Sequence, residues 1–236
     1  RPVLAEGVLQ RRHAQCEVVA GRRNELTMAL AALLATAYWE RDVRAKARAL
    51  LALRFDLDER SGGVMWSERS YLTQATIAVA DGNEPHAFAL LEALSGIGTR
   101  QGILSTRLLS LVERIRLHAA RQRSGQCAAL LAALESLYQQ EAAQAPANLH
   151  PLLQLYRALA HAYSAFSNAQ NSEADTWLQQ AWPAAQQLNR GREMVQILAL
   201  RALLAERLGQ PAEELLQAAL GSFTADDTAL LAYFPN

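Results

Sequence analysis

A small residue soon after a turn, followed by a large apolar pair, recurs along this chain at nearly constant spacing, and that recurrence limits the fold more than any other feature. It stands out at Ala87-Phe88-Ala89-Leu90-Leu91 and Cys127-Ala128-Ala129-Leu130-Leu131. Weaker copies are Ala47-Arg48-Ala49-Leu50-Leu51, Ala174-Asp175-Thr176-Trp177-Leu178 and Ala212-Glu213-Glu214-Leu215-Leu216. Measured between Leu50, Leu90, Leu130, Leu178 and Leu216, the intervals are 40, 40, 48 and 38 residues. One antiparallel helix pair cannot bury its apolar faces alone, so stacked pairs repeat the same small-large pattern at every junction.

Between these marks the apolar residues keep a helical period. Leu104, Leu108, Leu111, Val112, Ile115 and Ala119 fall along one side of a 3.6-residue helix. Breakers divide the segments at Gly21, Ser61-Gly62-Gly63, Asp81-Gly82-Asn83, Gly102, Ser124-Gly125, Pro146, Pro151, Asn168 to Ser172, Gly191 and Gly209-Gln210-Pro211. The pattern predicts an all-α, tetratricopeptide-like superhelix of antiparallel helix pairs, an α-solenoid with about eleven helices in one domain over residues 1–236. An irregular Ala/Leu-rich bundle is the alternative. The long interval is read as two polar insertions, Glu141 to Asn148 and Asn168 to Ser172. The second helices at Ala87 to Leu94 and Cys127 to Leu134 are expected to be interior, with Leu90 and Leu130 nearly inaccessible, and the first helices to line the concave surface.

Half of the residues are hydrophobic (51%), enough for a sizeable core, and 23 basic residues balance 23 acidic ones. No global field draws in nucleic acid or an anionic membrane, so neither is expected as a partner of this region. No run reaches the roughly 20 apolar residues of a membrane span. The start, Arg1-Pro2-Val3-Leu4, has neither an initiator Met nor a signal-peptide core, and Leu231 to Asn236 ends without a capping element. The sequence therefore reads as a cytoplasmic fragment of a longer chain. Cys16 and Cys127 lack CxxC spacing, which argues against a disulfide framework or a zinc site.

Catalytic signatures are not found. There is no GxSxG elbow and no GxxxxGK[ST] phosphate loop. His13, His86, His118, His150 and His161 are scattered without metal-site spacing. Cys127, inside a small-residue pattern, reads as core, and the pairs Asp56/Asp58 and Asp226/Asp227 diverge on a helix and read as solvated surface. The expectation is a binding protein without enzymatic activity, cofactor or metal.

Two sets of residues are candidates for binding. Tyr38, Trp39, Trp66 and Tyr71, with Tyr156 and Tyr163 further on, lie on first helices, where aromatic faces can clasp a peptide or small molecule. Filling of inter-repeat gaps is the other reading. Arg107, Arg114, His118 and Arg121 share one side of a first helix with no acid among them. On a concave face such a row suits a carboxylate, a phosphate or an acidic partner segment. The other reading is a solvated face neutralised by acids from a neighbouring helix.

The stretch from Arg192-Glu193-Met194 through Arg207-Leu208-Gly209-Gln210, continuing to Leu216-Gln217-Ala218-Ala219-Leu220, resembles the helical-repeat region of the large ATP-binding regulators of the LuxR family, the MalT-like group. Asn24 to Arg41 and Leu53 to Gly62 are similar in flavour. In that family an ATPase module precedes the repeats and a helix-turn-helix DNA-binding domain follows. The resemblance implies a regulatory sensor region that binds a small-molecule effector or a protein or peptide partner. A free-standing tetratricopeptide-type adaptor is the alternative.

Overall fold

In the computed structural model the chain is described over residues 2–52 and 64–221. Asp56, Asp58, Asp226, Asp227, the Ser61-Gly62-Gly63 breaker and the segment from Leu53 to Gly62 lie outside those residues. Among the described residues are eleven α-helices and no strand: α1 (Pro2–Ala20), α2 (Glu25–Glu40), α3 (Arg44–Leu51), α4 (Val64–Ala80), α5 (Glu84–Gln101), α6 (Leu104–Ala120), α7 (Ser124–Glu141), α8 (His150–Ser167), α9 (Asn171–Gln187), α10 (Gly191–Arg207) and α11 (Glu213–Gly221). Two short 3-10 turns, Ala142–Gln144 and Ala147–Leu149, separate α7 from α8. No described helix is long and apolar enough to cross a membrane. The fold is all-α, with consecutive antiparallel helices packed side by side as a helical repeat requires.

The repeat is written most sharply in the turns. Asp42, Gly82, Gly102, Gln122, Ala169, Asn189 and Gly209 all have positive φ. At each, the turn residue's N–H donates to the carbonyl three residues back, and the next N–H donates to the carbonyl five back, as in Gly82 to Val79 (3.0 Å) and Asn83 to Ala78 (2.8 Å). This paired closure satisfies the last helical carbonyls and needs one left-handed residue. The intervals between the seven residues are 40, 20, 20, 47, 20 and 20, so one helix and its turn occupy 20 residues. The single long interval exceeds two periods by seven residues, which the two 3-10 turns absorb. Glu141 to Asn148 is thus the insertion. Asn168 to Ser172, expected as a second insertion, is an ordinary turn in register at Ala169.

The chain forms two compact units, divided between Ile97 and Gly98. In the first, α2 packs against α1, α3 and α4. Asn24 starts α2 with its side chain accepting from the Leu26 N–H at 3.0 Å. Leu34, Ala35, Tyr38 and Trp39 of α2 meet Ala47 and Leu51 of α3 and Ile77 of α4 in one buried cluster. A hydroxyl pair, Thr36 with Thr73 at 3.1 Å, ties α2 to α4.

In the second unit α6 packs against both α7 and α8, and α8 packs in turn on α7 and α9, while α10 lies against α9 and α11. First helices therefore touch other first helices, and they are the most enclosed. The buried residues of α6 run almost around the helix, from Leu104 through Ala119. In α7 they are Cys127, Leu134 and Leu137, one narrow stripe. The expectation that second helices are the interior ones is thus reversed here. Leu90 is buried, but Leu130 is only partly so, because the core stripe of α7 runs through Cys127 and Leu134 instead. Cys127 is fully enclosed, its Sγ 3.6 Å from the Ile115 carbonyl oxygen, and burial pushes the thiol pKa up. It packs as core.

Candidate functional site

The four aromatics nominated for a groove lie in the first unit. Tyr38, Trp39 and Tyr71 are 4%, 1% and 2% exposed, and Trp66 is half-buried. Trp39 is a centre of the α2–α3–α4 cluster. Cations cover the rings from α3: the Lys46 ammonium lies 5.3 Å from the Tyr38 ring centroid, and the Arg44 guanidinium 5.5 Å from that of Trp39. Burial pushes the Tyr38 phenol above its ordinary value, with Glu6 adding to the shift and Arg41 opposing it. Packing, not a groove, accounts for these three enclosed rings.

The basic row lies on α6 in the second unit. Leu104, Leu108, Val112, Ile115 and Ala119 are buried, as their spacing predicts. The row beside them is uneven in exposure: Arg107, Arg114 and His118 are half-buried and Arg121 is exposed. Arg107 reaches across to the end of α7 and donates to both carboxylate oxygens of Glu141, at 2.6 and 2.8 Å. An acid from the paired helix thus neutralises one end of the row.

A different set converges on the other side of α6. Arg116 stands nine residues after Arg107, half a turn around the helix. Its Nη2 and Nε donate to Glu113 Oε2 at 2.8 and 2.9 Å. From α10, Arg192 approaches the other carboxylate oxygen at 3.5 Å. The Glu113 side chain is only 9% exposed. Burial alone would raise its carboxyl, but the Arg116 and Arg192 charges and the Arg116 hydrogen bond outweigh it and hold the group below its ordinary value. Tyr163 of α8 lies in the field of the same three groups and of Glu193, and burial drives its phenol far above the ordinary range. One turn on from Arg192, Gln196 places a buried amide nitrogen that has no hydrogen-bond partner among the described residues. Three consecutive first helices, α6, α8 and α10, thus contribute polar groups to one place.

A second cluster joins α7, α8 and α9. Glu135 accepts from Arg157 at 2.7 and 3.0 Å and pairs with His161 Nε2 at 2.7 Å. Burial opposes the ionised Glu135, yet the Arg157 and His161 hydrogen bonds and charges hold its carboxyl low. Among the described residues no group of His, Cys, Asp or Glu is arranged to hold a metal ion.

Sequence reading passed over Glu113 and Arg116 because a pair three residues apart on a helix is usually a solvated surface pair. The turn register supplies the missing signal. Arg116 and Tyr163 each stand six residues before a left-handed turn residue, Gln122 and Ala169, so they are equivalent positions of successive repeats. In the preceding first helices that position is Thr36 and Thr76. A charged residue followed by a tyrosine at one repeat position is visible once the register is known.

Fold and cluster together define a class, an all-helical protein of side-by-side helix pairs that carries a buried polar cluster on its first helices. No protein-family model, curated protein or solved structure matches the chain.

Proposed function

We propose that the chain is a regulatory sensor and interaction module, the helical-repeat region of a LuxR-type, MalT-like transcriptional activator, and that it binds a small-molecule effector or a protein partner on its first helices. The observation that carries this reading is the convergence of Glu113, Arg116, Tyr163 and Arg192 from three successive first helices. A charged cluster costs several kcal/mol of desolvation per ion, and hydrophobic residues of similar volume would often serve packing as well or better. Its position in a core built mainly of Leu and Ala favours a binding role. The 20-residue turn register and the Arg192 to Gln210 pattern support the family assignment.

The encoding reading frame tests the assignment. It is expected to carry an ATPase module before these repeats and a helix-turn-helix module after them, and a reporter driven by the whole regulator should lose effector response when Arg116 is changed to Gln. A frame holding neither module moves the chain to a free-standing interaction adaptor of the same fold.

A further inference from the structure

We propose that the outer side of α1, lined by Gly7, Arg11, Ala14 and Val18, docks one amphipathic helix of a partner protein, apolar where it meets the small residues and acidic where it meets Arg11. The inference goes beyond the regulatory reading, which concerns the first helices. It begins with the repeat. Gly7 stands 40 residues before Ala47, as Ala47 stands 40 before Ala87 and Ala87 stands 40 before Cys127; past the insertion the next equivalent is Ala174. By this register α1 is a second helix, and in the other second helices the same places are closed. Ala47, Ala87, Cys127 and Ala174 are each 0% exposed, and so are Leu94, Leu134 and Ala181, the equivalents of Ala14. Cys127 shows what closes them, since its Sγ lies 3.6 Å from the Ile115 carbonyl oxygen of α6, the first helix of its pair. In α1 the places are open. Gly7 and Ala14 are exposed, a Cβ added at Gly7 would meet nothing within 4 Å, and Val18 is 87% exposed. The opposite side of α1 serves α2: Glu6 pairs with Arg41, Leu9 lies against the Tyr38–Trp39 cluster, and His13 is buried.

Gly7, Arg11, Ala14 and Val18 follow i, i+4, i+7 and i+11 spacing, so they form one stripe along α1. The end helix of a finished stack turns a polar face outward. This stripe is small and apolar except for Arg11, a surface that admits the close approach of another helix. Arg11 names the chemistry of the occupant. Its equivalents in the other second helices are Leu51, Leu91, Leu131 and Leu178, so elsewhere in the repeat the place suits an apolar neighbour. A guanidinium covered by such a neighbour would lose its water without gaining a counter-charge. A Glu or Asp on the docked helix supplies that charge through a charge-assisted hydrogen bond. Arg11 is exposed, and no acid lies between Gly7 and Cys16 to compete for it. A second copy of the chain is the poorer occupant, because it would set two Arg11 side chains on one stripe and bring no carboxylate to either.

The test is a fluorescence-anisotropy titration of the whole chain against a labelled synthetic helix with Ala and Leu along one face and Glu on both flanks. A version with Lys in place of Glu is its counterpart, and both are measured at about 150 mM sodium chloride to screen unspecific attraction. The Glu helix is expected to bind saturably, and the Lys helix at least about tenfold more weakly. Gly7→Gln fills the open place and should weaken the Glu helix by about tenfold. Arg11→Glu should reverse the preference, so that the Lys helix binds the tighter, a result that loss of structure cannot produce. Both positions are exposed, so circular dichroism should show the helices intact. Arg100→Glu, an exposed charge on α5, should change neither affinity. No saturable binding of the Glu helix up to roughly 1 mM, full binding to Gly7→Gln, or an unreversed preference in Arg11→Glu each overturns the proposal. A wild-type dimer in sedimentation that Gly7→Gln abolishes would give the face to a second copy and overturns it likewise. None of these results touches the regulator assignment, which stands or falls on its reading frame.

Discussion

His161 of α8 and Trp177 of α9 are stacked, their ring centroids 4.1 Å apart and their planes within 16°. At its edge the imidazole pairs with Glu135 of α7, 2.7 Å from Nε2. One residue thus links three consecutive helices: stacking fixes α8 on α9, and the hydrogen bond fixes α8 on α7. His161→Ala removes both contacts and should destabilise the chain by about 1–2.5 kcal/mol, the sum expected of a ring pair and a charge-assisted bond. His161→Phe keeps the stack and should recover about half. Urea unfolding, followed by far-UV circular dichroism, gives both values.

The core stripe of α7 makes a second prediction. Leu134 is fully buried and Leu130 only partly, although both belong to the same apolar run. Leu134→Ala should cost about 2–5 kcal/mol, the range for large-to-small changes in a closed core. Leu130→Ala should cost less, about 1–2 kcal/mol, since part of its apolar area already meets water. Equal losses at the two positions would place the buried face of α7 elsewhere.

What could be read from the residues, and what could not, follows from where the information lies. The 40-residue recurrence of small-large pairs was legible because every junction demands it, and it led to the right fold class. The face of α6 was legible as well, since Leu104, Leu108, Val112, Ile115 and Ala119 are buried together. Which helix of a pair is the enclosed one was not, because Ala and Leu fill both. The enclosure of Tyr38, Trp39 and Tyr71 is equally a property of their neighbours: an aromatic on a helix reads the same whether a groove or another helix faces it. The bonds from Arg107 to Glu141 and from Arg192 to Glu113 join residues 34 and 79 apart in sequence, beyond any local pattern.

Acidic titration should expose the two arginine-paired carboxylates, buried Glu113 and half-buried Glu135. Glu113 and Glu135 are both held below their ordinary value of 4.5. A carboxyl whose folded value lies below its unfolded one contributes stability that is present in full above the unfolded value, and that is lost as the pH falls through the folded one. The chain should therefore lose stability from about pH 4.5 downward. Glu113→Gln should be less stable than the wild type at neutral pH and should show a shallower decline in acid. Chemical denaturation between pH 7 and pH 3 makes the comparison, and parallel curves would show that Glu113 does not contribute.

Gly98, near the end of α5, is closely approached by the first turn of α6. A Cβ added there would stand 2.9 Å from Arg107 Cγ, 3.1 Å from Thr106 Cβ and 3.2 Å from the Arg107 backbone nitrogen. Alanine would gain about 1 kcal/mol of helix propensity, but the clash with backbone and inner side-chain atoms should outweigh it. Gly98→Ala is expected to destabilise by about 1–3 kcal/mol, as overpacking does. Gly125, near the start of α7, has nothing within 4 Å of an added Cβ, so Gly125→Ala should stabilise by up to about 1 kcal/mol. The pair of variants separates space from propensity, and thermal unfolding of both measures it.

The turn register makes the sharpest claim about the repeat itself. The same left-handed position is filled by Gly at residues 82, 102 and 209, but by Asp42, Gln122, Ala169 and Asn189 in the other repeats. A side chain in that conformation brings Cβ against the following carbonyl, a strain of roughly 1–2 kcal/mol, relieved in part for Asn and Asp by local hydrogen bonding. Ala169, with φ of 58°, has no such relief. Ala169→Gly should therefore stabilise by about 0.5–1 kcal/mol, the removed strain less the extra entropy that glycine gives the unfolded chain. Asn189→Gly should gain less. Gly82→Ala runs the comparison in reverse: a Cβ there meets nothing within 4 Å, so any loss, expected at about 1 kcal/mol, comes from the backbone alone. If Ala169→Gly and Gly82→Ala shift the unfolding midpoint in the same direction, the two turns do not share one geometry, and the 20-residue register would have to be redrawn.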